Sequence, residues 1–458
     1  MLFTAFETTW RESQSFLEMY LGWSEIFWIS VFLGLSVLFW KFFAPKGKKA
    51  FIAFILFSLF GCVNWAVEIR SIFAPNYYYF SRASLDFIEP LKFVLKSVFV
   101  LDTKEGMKQE FAKIQKAMKK QKTKTTIVQN PIENIVIILG ESAQRGHMQL
   151  YGYSKATNPY MMELQKSPNL LVFDDVISPH AQTNASISKI FTMANYENQS
   201  QKSWYLQNNL FTFFKSSGYF TFWISNQESP LSASPASMLG NINEKYHLVS
   251  SFRQLYDEEV LPPLDEYLKT PHKFNLITIH LSGSHASYVD HYPQREQMFS
   301  LPLYDEKKRK IVAYDNTILY NDYVLSEIFK RFSGSDSIVI YLSDHGEEIY
   351  EGGEFAGHFD ALANRFMVEI PMLVYVSNLF IQKHPKLYEK LKTSSHRPYM
   401  SDDLIHTILE IAGIETEEFD PTRSIINEKF NPLRVRIVGG GDGVDYDKSL
   451  RGQKAKYN

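Results

Sequence analysis

Between positions 131 and 413, short mostly apolar strand patterns recur at 135–139, 170–173, 220–224, 276–280, 338–342 and 372–376, with helical patterns at 308–332 and 402–411 between or after them. Strands buried on both faces read as continuous rather than alternating apolar runs. Repeated strand, loop and helix therefore predict an α/β domain, a mainly parallel sheet flanked by helices. No internal repeat is visible. Open sheets of this kind place their sites at the carboxyl ends of the strands.

The N-terminal pattern is different. Residues 26–40 and 50–67 are two apolar runs without a charge, near the roughly 20-residue length that spans a bilayer, and they predict an N-terminal transmembrane helix region over residues 1–73. Lys41, Lys46, Lys48 and Lys49 lie between the runs, and the positive-inside tendency puts that loop in the cytoplasm and both chain ends outside. The first run starts late and lacks a basic segment before it, a poor fit to a cleaved signal peptide. Residues 74–130 predict a juxtamembrane linker: aromatic residues at 76–80 suited to a membrane interface, an amphipathic stretch at 85–101, and a lysine-rich stretch at 104–124 with Met107, Phe111, Ile114 and Met118 at helical spacing. The α/β domain is expected over 131–438 and a mobile, Gly-rich charged tail over 439–458.

Length agrees with several units, since 458 residues exceed one ordinary core. The single cysteine, Cys62, lies in the second apolar run, so the part beyond it forms no internal disulfide. A formal charge of -2 gives no sign of nucleic-acid binding.

The chemistry sits where the strand patterns stop. The run at 135–139 leads into Glu141, and the run at 338–342 into Asp344 and His345. Two carboxylates and an imidazole suit Zn²⁺ with an open position, or less specifically Mn²⁺. Each alone is ordinary: an Asp-His pair at a strand end is more often a surface hydrogen-bonding pair. Thr183 lies at the start of a helical pattern running through Met193. Free backbone N–H groups there favour a phosphoryl group, and a metal could activate the hydroxyl. Taken alone, Thr183 reads as an N-cap.

Gly140-Glu141-Ser142, then Arg145 and Leu150-Tyr151-Gly152-Tyr153; Thr183 with Ser186; Gly283-Ser284-His285; and Ser343-Asp344-His345-Gly346-Glu347 with His358 beyond: this ordered set over residues 134–413 resembles the successive motifs of the phosphoethanolamine transferases, in the alkaline phosphatase superfamily. The resemblance implies an alkaline-phosphatase-like fold and a bacterial inner-membrane, multi-pass enzyme with its catalytic domain in the periplasm. It implies Thr183 as nucleophile and a catalytic zinc held by Glu141, Asp344, His345 and the Thr183 oxygen. His285 and His358 would lie near the phosphoryl group, binding it, a second metal, or the leaving oxygen as general acid. Asn226 resembles a substrate-side position more loosely. The implied donor is phosphatidylethanolamine and the implied acceptor is lipopolysaccharide, at lipid A or a core sugar.

The chain departs from the family in two respects. Members commonly carry five membrane helices where this chain shows two, which leaves open a shortened form or an internal start, and several carry periplasmic disulfides that Cys62 cannot supply. The competing expectations are a sulfatase- or phosphatase-type hydrolase, a phosphoglycerol transferase, and a non-catalytic membrane binding module. Threonine at the nucleophile position disfavours a sulfatase.

Overall fold

The computed structural model describes residues 112–127, 130–227, 234–249, 256–439 and 443–455. The chain divides into two compact units, and every described residue belongs to the larger one, which includes Gly106–Asn458. The two apolar runs, the aromatic cluster at 76–80 and the stretch at 85–101 lie outside the described residues. Among the described residues no helix is long and apolar enough to cross a membrane.

Seven strands form the central sheet: β1 (Asn134–Gly140), β2 (Leu170–Phe173), β3 (Phe220–Ser225), β4 (Lys245–Leu248), β5 (Asn275–His280), β6 (Ser337–Ser343) and β7 (Met372–Val376). Their order is β2-β7-β6-β1-β5-β3-β4. Strand β7 runs antiparallel to both neighbours, while β6, β1, β5, β3 and β4 pair in parallel. The expectation of a mainly parallel sheet is thus met with one reversed strand.

Every residue of β1 and β6 is buried, because each face carries its own core. On one face Ile135, Ile137 and Leu139 pack with Ile187 and Ile190 of helix α1 (Thr183–Ile190) and with Leu404, Ile405 and Ile408 of helix α3 (Leu404–Ala412). On the other, Val136 and Ile138 pack with Val324, Leu325, Ile328 and Phe329 of helix α2 (Glu306–Phe332). Alternation along the strand sends successive side chains to opposite helical layers, and a three-layer α/β/α domain results.

Two boundary expectations need correction. The linker expected over 74–130 is, from residue 112, part of the domain. Residues 112–119 are helical, Met118 is buried in the core, and Gln121 donates to the carbonyls of Tyr205 and Gln207, both at 2.9 Å. Thr126–Ile127 then pairs with Ile414–Glu415.

The tail expected to be mobile from 439 is packed over its described part. Val444–Asp445 pairs antiparallel with Ile437–Val438, and the buried Tyr446 donates its hydroxyl to Glu369 Oε1 at 2.6 Å. Polar composition was the misleading signal, since these charges are partnered. Arg436 bridges Asp175 and Asp447 at 2.9 and 2.6 Å, and Arg451 reaches Asp175 at 2.8 Å.

A second ionic network fastens the segment after α3 to the start of that helix. Arg434 meets Asp402 through two hydrogen bonds of 2.8 Å, Asp403 at 2.8 Å and Glu197 at 3.0 Å. Removing one partner of a buried pair strands the other's charge, typically at about 3–5 kcal/mol. Arg434→Ala is therefore expected to lower the denaturant midpoint by that much stability, and an unchanged midpoint would show the network to be dispensable.

Candidate active site

Four adjacent strands of the sheet centre, β6, β1, β5 and β3, deliver Asp344-His345, Glu141, Gly283-His285 and Asn226-Gln227 respectively at their carboxyl ends. Thr183 arrives from one helical layer as the first residue of α1. Parallel pairing from Asn134↔Ser337 to Gly140↔Ser343 is in register, so Glu141 and Asp344 leave the sheet side by side.

The turn after β1 is strained. Ser142 has φ +56°, a costly conformation for a non-glycine residue that persists only when its surroundings over-determine it. Four bonds do so here. Ser142 N donates to Asp344 Oδ1 (3.2 Å), Ser142 Oγ to Glu141 Oε1 (2.8 Å), Ala143 N to Ser343 Oγ (2.8 Å), and Tyr314 of α2 donates its hydroxyl to Ser142 O (2.6 Å). Gly283 fits closely alongside with φ +57°, and a Cβ there would sit 2.5 Å from Glu141 O. Glycine is required for the loop carrying His285 to approach this turn.

Glu141, Asp344 and His345 are fully buried and converge. His345 Nε2 lies 3.3 Å from both Glu141 Oε1 and Asp344 Oδ2. Its Nδ1 faces the carbonyl of Gly346 at 2.8 Å, an arrangement that turns Nε2 toward the two carboxylates. Thr183 Oγ1 is 3.2 Å from Glu141 Oε2 and 3.2 Å from His345 Nε2. His358 adds a second ring, 4.1 Å from His345 between centroids, and Glu141, His345 and His358 bring ligand atoms within 4.8 Å of one another. His285 lies next to His358, at 6.2 Å between centroids.

The donor set fits a cation. Asp344 Oδ2 is buried and accepts no hydrogen bond, an expensive arrangement without a counter-charge. Burial and the neighbouring Glu141 push the Asp344 carboxyl up to about 7. Burial opposes a charge on His345, but Asp344 and Glu141 outweigh it and raise the imidazole to about 10. Glu141 would also be raised by burial, yet His345, with help from His285 and His358, holds it well below the usual carboxylate range. Protons here occupy the place a divalent ion would take.

Two residues with no role assigned from sequence belong to the arrangement. Gln227, rather than Asn226, reaches the centre: its amide donates to Glu141 Oε2 at 2.6 Å. The Asn226 amide nitrogen is directed instead to Asp257 at 2.9 Å, whose carboxylate also receives the N–H groups of Ser282 and Gly283 at 2.8 Å. Glu347, fully buried, holds His358 Nδ1 at 2.6 Å and accepts the Tyr288 hydroxyl at 2.5 Å. Burial and the charge of His345 push the His358 imidazole below its ordinary value. Glu347→Gln is expected to lower kcat by about 10–100-fold, as losing the partner of a site histidine does, without loss of the fold. Wild-type turnover from that variant would contradict the positioning role.

Residues 133–414 match the family model described as Sulfatase. Phosphoethanolamine transferase EptC of Escherichia coli K12 is 28% identical over 98% of this chain and 81% of its own length. The zinc complex of the C-terminal periplasmic domain of EptC from Escherichia coli superposes with a TM-score of 0.67 at 32% identity, covering 72% of this chain and 96% of that one. The integral membrane protein lipooligosaccharide phosphoethanolamine transferase A from Neisseria meningitidis shares the fold at a TM-score of 0.64, with 18% identity over 93% of this chain and 81% of that one. With the sulfatase match spanning more than half of the sequence and the EptC domain covered almost end to end, the chain belongs to the phosphoethanolamine transferases of the alkaline phosphatase superfamily.

Proposed function

We propose that this enzyme moves phosphoethanolamine from phosphatidylethanolamine to lipopolysaccharide, at lipid A or a core sugar, through a covalent intermediate on Thr183. The observation that carries the reading is the position of Thr183 Oγ1, 3.2 Å from both Glu141 and His345 at the first turn of α1, where backbone N–H groups lack intrahelical partners. Relatives' names supply the transferred group, and one, from Salmonella typhimurium, is named a Kdo(2)-lipid A phosphoethanolamine 7''-transferase.

Glu141, Asp344 and His345, with Thr183 Oγ1, would hold the zinc ion. When bound it supplies the positive charge that lowers the pKa of the threonine hydroxyl and offsets charge at the phosphoryl oxygens. In the first step Thr183 Oγ1 gives up its proton and attacks phosphorus, the Thr183 O–P bond forms, the bond to diacylglycerol breaks, and the departing oxygen takes up a proton. In the second, a hydroxyl or phosphate oxygen of the acceptor, losing its proton where it carries one, attacks the same phosphorus, the Thr183 O–P bond breaks and Thr183 Oγ1 takes up a proton. The α1 start orients the phosphoryl oxygens in both steps. His358, with Nδ1 pinned by Glu347, is suited to exchange the proton through Nε2, and His285 beside it would contact the same group.

The names of relatives, a periplasmic domain in one case and an integral membrane protein in another, support placement at the inner membrane with the domain in the periplasm. Incubating the full chain with a fluorescent phosphatidylethanolamine and lipopolysaccharide tests the reaction. Label on the acceptor is expected; release of free phosphoethanolamine with an unlabelled acceptor would identify a hydrolase instead.

A further inference from the structure

Helix α2 begins in an unusual way. Its first residues after Glu306 are Lys307, Lys308, Arg309 and Lys310, four cations at the end of a helix where the dipole disfavours positive charge. Asp305 caps the end by accepting from Lys308 N at 3.0 Å and pairs with Lys308 Nζ at 3.5 Å; Asp305 and Glu306 are the two acids at this helix start. Immediately before the cap the chain exposes apolar side chains: Met298 is 65% exposed, Leu303 81% and Tyr304 99%. Scattered exposed apolar residues are ordinary. Three within one seven-residue segment, beside four cations of which Lys307 pairs with Glu354, Lys308 with Asp305 at 3.5 Å and Arg309 with the Pro302 carbonyl at 3.5 Å, form a tip that is both basic and apolar.

The position of this tip follows from the helix. Tyr314 is bonded to Ser142 at the active site, and Glu306 precedes it by eight residues, about 12 Å along a helix axis. The tip therefore projects outward from the level of the site. It is also tied to the site's rim: the connection before α2 carries His285, Phe299 is anchored to Asn316 of α2 at 2.9 Å in both directions, and Lys307 pairs with Glu354 on the loop leading to His358.

We infer that residues 298–310 form a docking surface for an anionic phospholipid bilayer, with Leu303, Tyr304 and Met298 entering the headgroup boundary and Lys308 and Lys310 meeting lipid phosphates. Amphipathic surfaces of this composition bind by buried apolar area together with attraction to anionic lipid, at about 1 kcal/mol for each basic residue near the surface. The inference rests on the proposed reaction, whose donor is a membrane lipid: docking here would hold the carboxyl end of the sheet, where the site lies, near the bilayer.

The test uses the full chain in vesicles of phosphatidylethanolamine and phosphatidylglycerol, with Cys62→Ser removing the one native cysteine. Leu303→Cys carries an environment-sensitive fluorophore. Ser333→Cys, exposed at the far end of α2 roughly 40 Å away, is the control. Doxyl-labelled lipid is expected to quench the label at 303 and not at 333, and the quenching is expected to fall when phosphatidylcholine replaces phosphatidylglycerol or when Lys308→Glu and Lys310→Glu are introduced. Equal quenching at both positions overturns the inference. So does a shielded but unquenched label at 303, which would mean that a second copy or another segment of this chain covers the tip.

Leu303→Asp with Tyr304→Asp is expected to raise KM for vesicle-borne donor by at least about tenfold, with turnover of a short-chain dispersed donor unchanged. Quenching requires no turnover, so the labelled Thr183→Ala chain gives the same signal. Retained quenching without any transferase activity would remove the proposed reaction alone, and transfer without quenching would remove the docking surface alone.

Discussion

Thr183→Ala is expected to abolish phosphoethanolamine transfer, by on the order of 10⁶-fold, the scale seen when a covalent nucleophile is deleted. The substitution is structurally mild. Thr183 is only partly buried, and the Glu141 carboxylate that it contacts keeps the Ser142 hydroxyl at 2.8 Å and the Gln227 amide at 2.6 Å. Unfolding midpoints should therefore match the wild type, separating lost chemistry from lost fold. Thr183→Ser retains an oxygen at the same helix start and should keep a measurable part of the rate. Mass spectrometry of wild-type protein incubated with donor alone should find the peptide containing Thr183 heavier by one phosphoethanolamine. Undiminished transfer by the alanine variant, or an adduct on another residue, would remove Thr183 from the proposed role.

The sheet centre was legible because it is buried on both sides. Strands β1, β6 and β7 read as apolar runs and β5 as a mostly apolar one, and each appears within a residue or two of its expected place. Strand β4 was missed for the opposite reason: as an edge strand with the sequence Lys245-Tyr246-His247-Leu248 and no fully buried residue, it has no continuous apolar signal.

The centre of the site was legible through chemistry, since acids and imidazoles at strand ends need a reason to be there. Supporting residues carry no such mark. Gln227 differs from Asn226 in a single position, yet the backbone N–H of Asn226 still bonds to His280 O at 2.9 Å while the next residue turns its side chain to Glu141. Only the end of strand pairing decides which of the two amides reaches the acid. Glu347 likewise carries no mark of its role in the sequence at 343–347, because its hold on His358 depends on a loop closing over eleven residues.

Removal of metal by a chelator is expected to silence the enzyme by more than the about 100-fold that losing a supporting residue costs, with zinc restoring it, because Asp344 Oδ2 is buried without a hydrogen bond and only His345 lies near enough to offset its charge. The dependence on acidity has a definite sign. A cation must find Glu141 and Asp344 ionised and His345 neutral. Glu141 stays ionised throughout the accessible range, since the three histidines hold its carboxyl low. His345, raised to about 10, must release a proton on binding at any pH below that value. Asp344, raised to about 7, must release another once the pH falls below neutrality. Affinity should therefore weaken about tenfold per pH unit between 9 and 7.5, and approach about a hundredfold per unit below 6, one and two protons being displaced respectively. Calorimetry in buffers of different ionisation enthalpy counts those protons directly, about one per ion at pH 8.5 and close to two at pH 5.5. Asp344→Asn removes the second proton and one ligand charge together, so its curve should be weaker throughout and should not steepen below neutrality. A wild-type affinity that is flat between pH 6 and 9 would show that these three groups do not hold the ion.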